Sequence, residues 1–381
     1  MNSSLTRIGA VVVKEFKHLR RDPRTLAAVV LMPIIQLLLF AWAISFDVDR
    51  VPTVVVDFDH TQTSADYVGA YDSSTFFSVV EHADSTAAID QAFDANRARV
   101  AVVIPAGFER TLSGGGRAQV AVLIDGSETN AAKVTQAYSV ALNQLYDQDL
   151  TRAWADQQGL DLSGLGTLEP RVRTWYNPDR NSTIFLIPGL MAVIIAIVTV
   201  QQTAVTLVRE RALGTEEQLQ VSPIRTGELM VGKLLPWTLI AFADVVMVIV
   251  LGMVVFGVPM RGAPWVLALG SVLFVFASLG MGLVISAVAP SAETANIMAL
   301  LIAFLPSFLL SGLAFPLDQI PAILQAISMA FPARYMVTVA RGVFLKGTGF
   351  DELWPQLAAL AGYAALMVII AARLYRRRAA Q

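Results

Sequence analysis

The chain has 381 residues, of which 55% are hydrophobic and 15% charged, where soluble domains carry about 25% charged residues. That balance excludes an ordinary soluble globule, and a net charge of −2 with no basic block excludes binding to nucleic acid through phosphate neutralisation. Cysteine is absent and the three histidines, His18, His60 and His82, are scattered, which excludes disulfides, thiolate chemistry and a Cys/His metal cage.

The first predicted element is a surface helix within residues 1–25. Ile8, Val11, Val12, Phe16 and Leu19 recur at helical spacing, while Arg7, Lys14, Lys17, Arg20, Arg21 and Arg24 supply a basic face. Such a helix lies on anionic headgroups. Asp22-Pro23 ends it. Residues 26–46 are an apolar run long enough to cross a bilayer, for which about 20 residues suffice. A cleaved signal peptide competes, since the basic start and Ala41-x-Ala43 fit one. The run is longer than the roughly 7–15 residues of a signal core, so it is assigned as an uncleaved first span, kinked at Pro33.

Residues 47–181 change to the chemistry of a soluble domain. VPTVVVDFD (51–59), RVAVVI (99–104) and AQVAVLID (118–125) read as strands; 62–71, 85–95 and 128–158 read as helices. The alternation implies a small α/β domain. One outward crossing places it outside the cytoplasm, in keeping with its excess of Asp and Glu. Asp57, Asp59 and Asp125 stand at strand ends, where a metal site could be built, but turn capping is the simpler account and no metal-ligand spacing supports the alternative. Gly114-Gly115-Gly116 reads as a loop, and Trp175 and Tyr176 suit the headgroup belt.

Further spans are predicted at 182–208, 231–257, 263–289, 293–314 and 354–375, giving six in all with both termini cytoplasmic. The fourth is rich in small residues, among them Gly270, Gly280, Gly282 and Ser286, which let helices approach closely. Asp244 is a carboxylate inside the third span, a functional candidate because intramembrane charge is costly; pairing near the cytoplasmic interface is an equal alternative. Residues 315–350, interrupted by Pro316, Pro321 and Pro332, read as short half-inserted helices at the outer face. The tail, 376–381, is a basic anchor. Arg334, Arg341 and Lys346 fall on the outer side, where neither helix pattern nor loop charge accounts for them.

Between the second and third spans lies a polar island, 209–230. Arg209, Arg211, Arg225 and Lys233 place it in the cytoplasm. Gly214-Thr215 can break and re-cap the chain, and Glu216 to Leu219 restart a helical turn that Ser222-Pro223 stops. A short helix on the membrane surface would result, shaped to dock a soluble partner. Gly227-x-x-x-x-Gly232-Lys233 matches most of a phosphate-binding loop, yet Leu234 replaces the hydroxyl that would hold Mg²⁺ and no strand precedes it.

The motif E-R-x-x-G-T-x-E-Q-L, here Glu210, Arg211, Gly214, Thr215, Glu216, Gln218 and Leu219, followed by Pro223, Glu228 and Lys233, resembles the signature of ABC type-2 transporter permeases with a large external domain. KEFKHLRRDPRT (14–25), LIPGL (186–190), SGLAFPL (311–317) and PARYMVTVARGVFLKG (332–347) are similar to the family's other recurrent stretches; the last contributes Pro332, Arg334, Tyr335, Arg341, Lys346 and Gly347.

The resemblance implies a helical integral membrane protein of the bacterial inner membrane, with an extracytoplasmic α/β domain, that exports hydrophobic or amphipathic cargo. It implies no catalytic residue, metal or cofactor on this chain. ATP and Mg²⁺ belong to separate cytosolic ATPase subunits docking around Glu210–Leu219 and Pro223. A second permease chain, the lipid bilayer and a periplasmic adaptor complete the expected partners. The rival readings are an envelope scaffold anchored by its helices and an integral-membrane enzyme. The first needs neither six spans nor a patterned inner loop, and the second lacks a catalytic constellation.

Overall fold

Asp22 turns the chain from one helix into the next. Its carboxylate accepts hydrogen bonds from Thr25 N at 3.2 Å and Thr25 Oγ1 at 2.6 Å, and Pro23 opens the new helix with its φ already set. In the computed structural model this separates α1 (Asn2–Arg21) from α2 (Pro23–Ala43), which carries Pro33 inside it. The structure describes residues 2–43, 50–159, 175–178, 181–212 and 226–379. It divides into two compact units, residues 46–172 and the rest.

The smaller unit holds a four-stranded sheet in the order β2-β1-β3-β4. β1 (Val51–Asp57) pairs in parallel with β2 (Phe77–His82) and with β3 (Val100–Ile104), and β4 (Ala121–Ile124) closes the far edge antiparallel to β3. The helices α3 (Gln62–Asp72) and α4 (Ala87–Asp94) make the parallel crossovers, α5 (Phe108–Ser113) follows β3, and α6 (Thr129–Gln157) is long. Central strands covered on both faces need continuous apolar sequence, which Val54, Val55 and Val56 supply. One face buries Val55, Tyr67, Tyr71, Phe77 and Phe108 together; the other buries Val54, Val56, Ile89 and Ala92. The sequence expectation of three strands omitted β2, whose FSVVEH mixes polar and apolar residues, and omitted α5.

In the larger unit, α7 (Ser182–Ala212) is the central post. Around it stand α2, α8 (Thr226–Val254), α9 (Pro264–Val288) and α10 (Ala292–Leu309), and α13 (Phe350–Ala379) packs on α9. Among the described residues, six helices are long and apolar enough to cross a membrane, beginning in α2 and ending in α13. The span of α7 is 83% buried, against 22% for those of α2, α10 and α13. Small residues permit that enclosure. Ala295, Ala299 and Ala303, four apart on α10, are fully buried in one cluster with Val200 and Ala204 of α7. A Cβ on Gly282 of α9 would stand 2.7 Å from the Thr203 Cβ.

Both ends of the polar island, 209–212 and 226–230, are helical. α7 stays helical to Ala212 and α8 is helical from Thr226, because helix-forming Arg-Glu-Arg-Ala and Glu-Leu-Met flank the island. The broken segment comprises a short 3₁₀ turn (Leu317–Gln319), α11 (Ala322–Ser328), and α12 (Pro332–Arg341) running into a π-helical stretch, Gly342–Lys346. The chain bends by 88° between α11 and α12.

Candidate functional site

Three places carry the residues singled out by sequence. The first is the bundle end where α1 meets α8. Glu228, in the first turn of α8, is buried; Arg7 Nη2 lies 3.0 Å from its Oε1, and Ser4 Oγ donates to the same oxygen. An acidic group in a helix's first turn also opposes the positive end of the helix dipole. One turn on, a Cβ at Gly232 would sit 2.7 Å from the Val11 Cβ, so glycine lets α1 lie flush on α8. The phosphate-loop-like residues Gly227 to Lys233 are all helical. Their glycine serves packing, and the amphipathic α1 is latched to a span by an ion pair and a close contact. Arg7 and Gly232 were legible only as a basic residue and half of a false motif.

Glu210 and Arg211 fall in the last turn of α7, at residues whose side chains are not described. Gly214, Thr215, Glu216, Gln218, Leu219 and Pro223 lie outside the described residues.

The second place is Asp244, buried in the middle of α8. Its Oδ2 has no hydrogen-bond partner among the described residues. It lines a cavity of about 10 Å³ with Thr199, Gln202 and Trp237, room for about one water. Gln202 and Trp237 also line a larger cavity of about 280 Å³ beside α1.

The third is the broken segment. Pro332 opens α12 and is buried. Arg334 Nη1 donates to the Gln325 carbonyl at 2.9 Å and to Ser328 Oγ, so it caps the last turn of α11. Arg341 donates to the carbonyls of Gly312 at 2.7 Å and Leu313 at 3.4 Å, just beyond α10, and its guanidinium stacks 4.0 Å over the Phe185 ring. Tyr335 Oη donates to Met329 O at 2.9 Å. Gly347, at φ 74°, ends the π stretch in the left-handed region that suits glycine. Lys346 is exposed. Helix C-termini present unsatisfied carbonyls with partial negative charge, which accounts for Arg334, while Arg341 meets carbonyls of the segment after α10; neither is paired with a carboxylate among the described residues. Sequence alone could not show this, because each acceptor is a backbone atom brought close by tertiary folding.

The strand-end aspartates of the α/β unit are turn caps. Asp57 accepts from Asp59 N, His60 N and Ser64 Oγ. Asp59 accepts from Gly107 N at 2.6 Å, Phe108 N and Glu109 N at 3.0 Å, and Thr61 Oγ1 at 2.7 Å. Those donors, the Glu109 amide foremost, hold the Asp59 carboxyl below the usual 3.8. The Ser127 amide does the same for Asp125. Burial pushes the hydroxyls of Tyr67 and Tyr71 up.

Among the described residues, five apolar spans packed in one bundle with α7, the buried sixth, and a surface helix latched to one of them define a multi-pass membrane protein. The family described as ABC-2 family transporter protein matches residues 23–373, and the chain belongs to it. It is 31% identical over 354 residues to the probable multidrug ABC transporter permease YbhS of Escherichia coli K12, covering 90% of each chain. The probable multidrug ABC transporter permease YbhR of the same organism is 27% identical, over 98% of this chain and 99% of that one. A Dictyostelium discoideum protein, ABC transporter G family member 20, is 23% identical over 95% of this chain and 50% of its own length. The chain is thus a transport subunit of a family that works with ATP-binding partners.

Proposed function

We propose that the chain is the transmembrane half of an exporter that moves hydrophobic or amphipathic molecules out of the cytoplasm or the inner leaflet. Cytosolic ATPase subunits carrying ATP and Mg²⁺ dock on residues 209–223. A second permease chain completes the pathway, and residues 47–181 stand outside the cytoplasm, open to an adaptor. The observation that carries this reading is the arrangement around Glu228. The helix latched by Arg7 and Val11 and the two spans bounding the island converge at one bundle end, so a push on the island reaches three helices. Asp244 lies on α8, one of those helices, as a candidate for a role in transport or for a structural pairing. Arg334 and Arg341 hold the broken segment in shape as part of the outward exit.

The test is affinity capture of the full chain with its ATP-binding partner. Glu210→Ala and Gly214→Pro are expected to lose the complex and cargo-stimulated ATP hydrolysis; retention of both by both variants contradicts the docking assignment. The natural chain has no cysteine, so Thr215→Cys reports sidedness directly. Labelling of intact cells by an impermeant maleimide would place the island on the wrong side.

A further inference from the structure

The cavity beside α1 draws its walls from four helices, α1, α2, α7 and α8. Its cationic groups are Lys14 from α1 and Arg209 from the end of α7, with the His18 ring beside them. Two carboxylates share it. Asp22 is engaged in capping α2 through Thr25, and Glu15 lies 3.8 Å from the Lys14 ammonium. Leu19, Val205 and the Trp237 ring give it apolar surface, beside the polar Thr25, Gln202 and Thr206. The indole Nε1 of Trp237 is buried and has no acceptor among the described residues. Buried donors are nearly always met, so a missing acceptor on a cavity wall points to a ligand or water.

The setting narrows the ligand. An amphipathic basic helix lies where hydrocarbon gives way to headgroups, and tryptophan favours the same depth. A volume of about 280 Å³ fits a headgroup and the first carbons of a chain rather than a whole lipid. Lys14 and Arg209 beside the surface of Leu19, Val205 and the Trp237 ring suit a phosphate that carries a hydrocarbon tail. A soluble anion would leave the apolar surface unused.

We infer that this cavity seats the phosphate headgroup of an anionic membrane lipid, with Lys14 and Arg209 on the phosphate and Trp237 Nε1 on an ester oxygen where its chains begin. The lipid wedges between α1 and the end of α7, making the position of the latched helix sensitive to bilayer composition. The inference rests on the membrane reading and not on the ATPase docking site, so either can fail alone.

The test uses the purified full-length protein in detergent and native mass spectrometry with three probes: dioleoylphosphatidylglycerol, dioleoylphosphatidylcholine and glycerol 3-phosphate. One phosphatidylglycerol is expected to bind about five-fold more tightly than phosphatidylcholine, the effect of roughly one basic residue near a membrane surface. Glycerol 3-phosphate should not compete. The double variant K14Q/R209Q should lose the preference, while K17Q/R20Q, which removes the same charge from α1 outside the cavity, should keep it. Trp237→Phe, which removes only the donor and part of the ring, should weaken binding about three-fold and decides the matter if the double variant does not fold. Equal losses in the two double variants, no preference between the lipids, competition by glycerol 3-phosphate, or an unaltered Trp237→Phe protein would each overturn the assignment.

Discussion

At one end of the bundle Arg7 meets Glu228, guanidinium to carboxylate at 3.0 Å, whereas in the broken segment Arg334 and Arg341 find carbonyl, hydroxyl and ring partners among the described residues. A carboxylate partner can be protonated, screened or drawn away by a competing cation. A carbonyl oxygen can be none of these, since it is fixed in the main chain and carries no titratable charge. The difference teaches where movement is cheap. The α1 latch is built to let go and the broken segment to stay. The α/β unit offers the mirror image of the second device, with Asp59 satisfied by three backbone N–H groups and the Thr61 hydroxyl.

The sharpest attempt to break this contrast is Arg341→Met. It strips two carbonyls of their donor and a ring of its cation, and should cost about 3 kcal/mol. The readout is the temperature at which the monodisperse size-exclusion peak is lost, at low and at high salt. Equal losses at both are expected, and Arg341→Lys should recover only part, because an ammonium lacks the planar fork. A loss that vanishes in salt would mean that an unseen carboxylate is the true partner.

Gly232→Leu should follow at about 2 kcal/mol, from overpacking against Val11. Here the readout is protease access to residues 2–21, which should rise with the remaining spans intact. Unchanged access would show that α1 is not held at this contact.

Glu228→Gln removes the charge but keeps the shape. About 1 kcal/mol should be lost at low salt and less at high salt, because Arg7 is partly exposed to screening. Salt-independent loss would erase the distinction between the two places.

The smallest effect is expected at Asp59. Its folded pKa is depressed, so its contribution is present above the ordinary 3.8 and is lost as pH falls through the lower folded value. Hydrogen exchange on the intact chain should show residues 107–113 loosening selectively below about pH 4, and Asp59→Asn should abolish that step. Exchange that is flat with pH would show that the carboxylate does not hold α5.

Much of the frame was legible in the sequence, for local reasons. Apolar runs such as 234–257 need no tertiary information to be read as spans, and the triple valine of β1 announces a strand covered on both faces. Asp22-Pro23 marked the α1 boundary because capping and a fixed φ are properties of neighbours in the chain. What escaped depends on distant atoms. β2 is a strand because β1 lies beside it, with Val51 opposite Phe77, despite the polar Ser78 and Glu81. Gly232 could be excluded from a true phosphate loop by the nearby Leu234, but its packing role rests on Val11, distant in sequence. Arg334 and Arg341 looked misplaced until carbonyls from α11 and the segment after α10 came to meet them. Asp244 was visible as an oddity, while its company of Thr199, Gln202 and Trp237 was not.

The enclosure of α7 carries a consequence for how the protein can change over time. Inserting a single residue into a helix turns everything beyond it by about 100°. In α2, most of whose span faces outward, such a slip would exchange one greasy surface for another. In α7, where 83% of the span is buried, it would drive every later side chain into the wrong neighbour. Lineages of this protein should therefore vary in the length of the outlying helices while the central one keeps its residue count unchanged.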